Sequence, residues 1–287
     1  MVFFSYKLYE KNQARDRYRY LLNRKKAGWL SLKKNLANKI GNFKGKVGLV
    51  VEDLSTGWVI SFNDDHLIPS ASLVKVPIML SYFYAAQENK INLTDNIKFR
   101  SFKKPPRPSR SSTASYFVVE ALFDPMITVS DNSATNALID LLGFDTLNGY
   151  FKKMGLKNTN LSRKMLDFKS RKKGIENYTT AADMAYILRK LYHKQFLSRE
   201  VSEKCLVLLS GQKINDRIPK ALPGDEISVA HKTGLERHIC HDVGIVYTPK
   251  GDFLICVLVK HGNRFAHPAK QLISDIALAT YNFYKNF

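Results

Sequence analysis

Ser72 and Lys75 stand three residues apart, so on a helix their side chains lie one turn apart on the same face. An amine in that place can take the hydroxyl proton and lower the barrier to nucleophilic attack. The Ser-x-x-Lys pattern is cheap in a Lys-rich chain and starts here five times, at Ser31, Ser72, Ser101, Ser170 and Ser210. Only Ser72 opens a strongly apolar stretch, Pro69-Ser70-Ala71-Ser72-Leu73-Val74-Lys75-Val76-Pro77. A helix N-terminus there would turn N–H groups and positive potential toward an oxyanion. Ser130-Asp131-Asn132 and Lys232-Thr233-Gly234 follow in that order. Each triplet is weak evidence alone, and the ordered set of three is strong.

Those residues need elements to hold them. The pattern from Ser72 to about Gln87 is helical and apolar on several faces, as in a buried central helix. Before it, Trp29 to Ile40 reads as an amphipathic helix, and Lys46 to Glu52 and Trp58 to Phe62 read as antiparallel strands. Helices are expected near Tyr116–Leu122, Ala134–Leu142, Thr146–Met154, Thr180–Leu191 and Arg199–Leu209, which makes the middle of the chain an all-α block. Strands return at about Ile227–Thr233, Cys240–Tyr247 and Phe253–Lys260, and a helix from about His267 to Tyr284 closes the chain. The expected architecture is α/β (α+β): an antiparallel sheet flanked by helices, with an inserted all-α lobe. Its boundaries fall at an extension over residues 1–27, an α/β lobe over about 28–69 and 213–287, and an all-α lobe over about 70–212.

A chain of 287 residues that is 45% hydrophobic, with 10 Pro and 15 Gly, has the composition of a packed globule and excludes collagen-like and low-complexity classes. Forty-five Lys and Arg against 25 Asp and Glu leave a net charge of +20, which points to an anionic partner: nucleic acid, an acidic membrane or an anionic wall polymer. Residues 1–45 hold twelve of the cations and two of the acids, a net +10. Cys205, Cys240 and Cys256 form no zinc-type spacing, so no metal site is expected. Pairing Tyr247 with Phe253 would set Cys240 opposite Lys260 and Cys256 opposite Gly244, too far apart for a disulfide. The apolar opening Met1 to Tyr6, followed by basic residues, fits the trimmed end of a membrane anchor or a frayed terminus.

With these residues in place, the chain resembles the class A serine β-lactamases and the penicillin-binding enzymes that share their fold. Thr179-Thr180-Ala181-Ala182-Asp183-Met184, Ile218-Pro219-Lys220-Ala221-Leu222-Pro223 and His241-Asp242-Val243-Gly244-Ile245-Val246 are similar to that family too, so the likeness runs from about Leu30 to the C-terminus. The resemblance implies Ser72 as nucleophile, Lys75 as its proton acceptor, Ser130 as shuttle to the leaving nitrogen and Asn132 as a substrate-amide contact. It implies that Lys232, Thr233 and Gly234 bind the substrate carboxylate end, and that the N–H groups of Ser72 and Leu235 form the oxyanion hole. Lys232 beside Lys75 should hold down the Lys75 pKa. Asn136 matches a position that braces the neighbouring loop, and His231 and His241 read as structural.

The chain departs from the family in the loop before the Thr-Thr helix. There a glutamate, in a Glu-x-x-Leu-Asn pattern, positions the water that cleaves the acyl-enzyme. Here the loop reads Ser162-Arg163-Lys164-Met165-Leu166-Asp167-Phe168-Lys169-Ser170, so Lys164 or Met165 falls at the glutamate's place and Asp167 is the nearest carboxylate. Asp167 is a candidate deacylation base or a loop-closing partner of Arg163. Without a base, hydrolysis should be slow.

The leading expectation is therefore a β-lactam-opening serine hydrolase that works through acyl-Ser72. The alternatives are a penicillin-binding DD-peptidase or esterase acting on peptidoglycan peptide, or a degenerate hydrolase fold whose basic surface binds an anionic polymer. The family implies no cofactor and an extracytoplasmic setting, and the expectation is a monomer without specific nucleic-acid binding.

Overall fold

A computed structural model describes residues 2–99, 115–224 and 226–286. The Ser101 pattern and the basic segment from Arg100 to Arg110 lie outside the described residues. The chain begins with α1 (Val2–Gly41), forms the hairpin β1 (Gly45–Asp53) and β2 (Val59–Phe62), and leaves it through the short β3 (Ile68–Pro69). A 3₁₀ turn at Ala71–Val74 runs into α2 (Lys75–Gln87). There follow β4 (Asn96–Phe99), β5 (Ser115–Val118), α3 (Phe123–Thr128), α4 (Asn132–Leu142), α5 (Phe144–Lys153) and α6 (Phe168–Lys172). Next come β6 (Tyr178–Thr179), α7 (Ala181–Tyr192) and α8 (Arg199–Ser210). The chain ends with β7 (Ser228–Glu236), β8 (Ile239–Tyr247), β9 (Phe253–His261) and α9 (His267–Lys285).

The main sheet has the order β2-β1-β9-β8-β7 and is antiparallel throughout, so the first strand pairs with the last and β7 forms an edge. Its central strand β9 is buried from Phe253 to Val259 because both faces are covered. On one face Val50, Cys256 and Leu258 share a core with α2, α4 and α7; on the other, Val47, Val257 and Val259 pack with Trp29, Leu32 and Leu36 of α1 and Ile273 and Ile276 of α9. Ile78 through Phe83 of α2 are all buried, as a helix apolar on every side must be, and Pro77 sits in its first turn, where no intrahelical N–H bond is lost. Gly244 is required where β8 passes His231: a Cβ there would lie 2.5 Å from that residue's own. The architecture is thus the expected antiparallel sheet with helices on both faces.

Four details differ from expectation. Tyr116–Val118 is a strand paired antiparallel with β4, Phe117 opposite Ile97, and β3 pairs with β6, so the inserted lobe is not all-α; the aromatic and β-branched run Tyr116-Phe117-Val118 suits a strand better than a helix. Residues 2–41 form one helix across the expected break at 27–28, since a lone Gly28 weakens a helix without ending it. The β8–β9 register is shifted by one: Val246 faces Phe253, while Tyr247 pairs with Ser228 of β7. Asp252 draws the turn together by accepting bonds from Thr248 N at 3.1 Å and the Tyr192 hydroxyl at 2.9 Å. Cys240 then faces Val259 and Cys256 faces Val243; the two cysteines point to opposite sides of the sheet, and all three cysteines are free and buried. Finally, the Arg163 guanidinium closes its loop through Glu176 and Glu236, not through Asp167.

Among the described residues no helix is long and apolar enough to cross a membrane, and no group of three or more His, Cys, Asp or Glu could hold a metal ion.

Candidate active site

The 3₁₀ turn carries Ser72 half-buried at the head of α2, with Lys75 fully buried as the first residue of the helix. Ala71, immediately before Ser72, is held at φ +45°, a conformation a residue with a Cβ avoids; Ser130 is held at φ +56°. Two strained residues on two segments thus flank one cleft. Ser130 sits between α3 and α4, and Asp131 of the triplet is the helix cap: its carboxylate accepts Ser133 N at 2.8 Å and Ala134 N at 2.9 Å. That capping turns Ser130 and Asn132 toward α2.

Lys75 is the hub. Its Nζ donates to the Ser130 carbonyl at 2.8 Å, the Ser130 hydroxyl at 3.1 Å and Asn132 Oδ1 at 2.8 Å. Lys232, at the middle of β7, donates to the same Ser130 Oγ at 3.1 Å and to its neighbour's carbonyl, Thr233 O, at 3.0 Å. Two buried amines therefore meet on one hydroxyl. Burial, with repulsion from Lys232 next, pushes the Lys75 pKa far below that of a free lysine. Burial also pushes Lys232 down to about 7, partly offset by Asp242 and reinforced by Arg217.

β7 passes close to the nucleophile turn. A Cβ on Gly234 would lie 3.1 Å from the His241 ring and 3.3 Å from Ser70 O, so glycine permits this approach. Thr233 is buried and Leu235 is half exposed on the same strand. His241 fastens the turn from the far side: its Nε2 donates to Pro69 O at 2.8 Å while Nδ1 accepts Val259 N at 3.0 Å, which defines the neutral tautomer. Burial lowers its pKa to about 4, so it stays neutral. His231 Nδ1 donates to Asp242 at 2.8 Å, behind the strand that carries Lys232.

The loop before β6 is held at three points. Both ends of the Asn136 side chain grip Met165, Nδ2 donating to its carbonyl at 3.0 Å and Oδ1 accepting its N–H at 2.8 Å. Met165 is buried, and Leu166 turns outward at φ +64°. Asp167 caps α6, accepting Ser170 N at 3.0 Å and Ser170 Oγ at 2.6 Å, and these bonds lower its pKa. Arg163, buried, donates to Glu176 at 2.7 Å and to Glu236 at 3.0 Å, and Arg171 pairs with Glu236 at 3.1 Å. The loop is thereby tied to the end of β7.

The structure thus brings Lys75, Ser130, Asn132 and Lys232 into one bonded set, with Ser72 one turn from Lys75 and Thr233 and Gly234 beside it on β7, while the Asp167 carboxylate is taken up by its own helix. Two groups escaped sequence reasoning. Glu236 joins two arginines 65 and 73 residues away, a separation no local pattern reveals. Arg217, fully buried, donates from Nε to Cys240 Sγ at 3.3 Å and pairs with Asp216 at 2.9 Å, adding positive charge near Lys232 from a segment with no regular structure.

Comparison with known proteins adds the following. The model of the beta-lactamase enzyme family matches residues 31–284. A beta-lactamase of Rhodobacter capsulatus is 28% identical over 213 residues, covering 72% of this chain and 71% of that protein. The crystal structure of a beta-lactamase from Sphaerobacter thermophilus is similar with a TM-score of 0.76 at 28% identity, covering 90% of this chain and 98% of that one. PBP-A is similar with a TM-score of 0.78 at 25% identity, covering 90% and 97%, and one of its mutants is known as an acyl-enzyme complex with penicillin G.

Proposed function

The chain belongs to the beta-lactamase enzyme family, and on that premise we propose that it opens the β-lactam amide through an acyl-Ser72 intermediate and releases the acyl group slowly. One observation carries the first half: Lys75 and Lys232 converge on the Ser130 hydroxyl at 3.1 Å each. In the resting site the three acceptors around Lys75 suit an ammonium, and burial beside a second cation drives it toward the neutral amine that can accept the Ser72 proton. As Ser72 Oγ bonds to the carbonyl carbon, that proton passes from Lys75 through Ser130 Oγ to the ring nitrogen, whose bond to carbon breaks. The N–H groups of Ser72 and Leu235 would stabilise the oxyanion, each worth about 2.7–4 kcal/mol in the transition state. Asn132 commits its oxygen to Lys75, which leaves its NH₂ to donate to the substrate's side-chain amide. Lys232, Thr233 and Gly234 would receive the carboxylate.

The second half rests on the loop. The residue gripped by Asn136 is Met165, which cannot activate water. Asp167, its pKa lowered by Ser170, is a weaker base than a free carboxylate and is engaged as a cap. This absence of a base equally favours a second reading, a DD-peptidase or esterase of peptidoglycan peptide that β-lactams inhibit, as does the likeness to PBP-A. The binding-only reading is disfavoured by the intact bonded set. An extracytoplasmic setting belongs to both enzymatic readings.

Intact-protein mass spectrometry after addition of penicillin G tests the proposal. The account expects one adduct per chain that persists, and none on Ser72→Ala. Loss of the adduct with many-fold consumption of drug would refute slow release, and no adduct would refute the acylation chemistry.

A further inference from the structure

Of the seven histidines, His231 and His241 are bonded through both ring nitrogens, and two others meet ring to ring outside the set around Ser130. His238 lies in the turn between β7 and β8, at φ +64°, and His261 is the last residue of β9. The His261 N–H donates to the His238 carbonyl at 2.9 Å, which extends the β8–β9 ladder by one pair and sets the two residues across from each other. Their ring centres are 6.0 Å apart, with the planes at 78°.

The chemistry of the pair lies in its nitrogens. His261 is 5% exposed, and neither of its ring nitrogens is in hydrogen-bonding geometry with a protein group. His238 turns Nε2 toward the exposed Arg237, whose Nε donates to it at 3.2 Å, and buries Nδ1 without a partner. Buried polar atoms are nearly always bonded, so three such nitrogens at one place call for a function. Burial, then repulsion from His238, holds His261 below the ordinary histidine pKa against a smaller pull from the Asn263 backbone, which favours the neutral ring. Neutral imidazole is a ligand for copper, nickel and zinc, whereas magnesium and calcium prefer oxygen. With metal–nitrogen bonds of about 2.0–2.1 Å, two imidazoles on one ion have ring centres about 5–6.5 Å apart. The observed separation falls inside that span.

We propose that His238 Nδ1 and a ring nitrogen of His261 bind one divalent transition-metal ion of the copper, nickel and zinc class. For Nδ1 to bond the ion, its proton moves to Nε2, which gives up the bond from Arg237; that side chain is exposed and can turn to water. Among the described residues no third His, Cys, Asp or Glu joins the pair, so water completes the coordination and the ion exchanges readily. The ion would tie the turn that follows Leu235 to the end of β9, beside the Arg237 carbonyl that Arg171 reaches at 3.4 Å. Neither histidine belongs to the set around Ser130, so the inference does not depend on the acylation chemistry.

The test titrates the full chain, first dialysed against EDTA, with nickel chloride in a calorimeter. One ion should bind per chain, and it should raise the wild-type melting midpoint. His238→Asn suits a left-handed turn and removes one donor; it should weaken binding by about tenfold or more and keep the metal-free midpoint. His261→Gln should weaken binding as much, whereas changing the three exposed histidines together, His66→Ala, His193→Ala, His267→Ala, should leave it intact. With copper(II) in place of nickel, electron paramagnetic resonance should show coupling to two nitrogens, falling to one in His238→Asn. No saturable binding of either ion, binding that survives both single substitutions, or loss of binding in the triple variant would overturn the proposal. So would coupling to a single nitrogen in the wild type.

Discussion

At the scale of single residues, the proposed acylation requires the two amines on one hydroxyl to differ in charge. Lys75 has to be neutral to accept a proton, so acylation should rise with pH until it has lost its own. Lys232 has to stay positive to hold a carboxylate, and with its pKa pushed down to about 7 that attraction should fade on the alkaline side, giving a bell-shaped profile for the acylation rate constant. Lys232→Arg, which stays charged, should move the alkaline limb upward; stopped-flow acylation measured across pH checks both. Lys75→Met should slow acylation by about 10²- to 10⁴-fold at every pH. Met165→Glu would place a carboxylate on the backbone that Asn136 already holds, and should shorten the adduct lifetime by about 10²-fold or more if its oxygen reaches the ester, whereas Asp167→Asn should leave that lifetime unchanged. Adduct decay followed by mass spectrometry separates the two. The residues of the bonded set were legible beforehand because their patterns are short and local; the grip of Asn136 on Met165, 29 residues away, needed the fold.

At the scale of elements, the cleft is built from a turn, a capped helix and a sheet edge that share few covalent neighbours. The network Arg163, Arg171, Glu176 and Glu236 joins the loop to β7 directly beyond Leu235. Removing Glu236 leaves Arg163 paired with Glu176, so Glu236→Ala should cost about 1–3 kcal/mol in urea unfolding. It should also expose the loop to protease and slow acylation. Glu176→Ala should be worse, since Glu176 is the more buried carboxylate and also accepts Asn177 N at 2.8 Å. Helix and strand periodicity marked α2, α7, α9 and the five sheet strands from sequence. β5 was misread as helix because its four residues are too few for a period to declare itself, and the β8–β9 register slipped because a side-chain bond from Asp252 sets the turn.

For the whole molecule, two cores lie back to back on one sheet and share β9, so heat or denaturant should unfold both together. Leu36, fully buried between α1 and the sheet, tests the coupling: Leu36→Ala should cost about 2–5 kcal/mol and lower stability as a single transition, not as a separate loss of α1. A molecule of net charge +20 should also gather anionic substrates, so acylation by a carboxylated β-lactam should slow as salt is raised. The excess charge and its weighting toward residues 1–45 were evident from composition, while the single continuous helix over residues 2–41 emerged only with the structure. The central claim of the proposal is that this chain holds the groups that make the acyl-enzyme and that, among the described residues, the loop held by Asn136 offers no base to break it. A burst experiment with a chromogenic cephalosporin tests this most directly. The account predicts one equivalent of ring-opened product per chain in a fast phase, then near-zero steady turnover, with the fast phase absent in Ser72→Ala. Linear multiple turnover without a burst would contradict it.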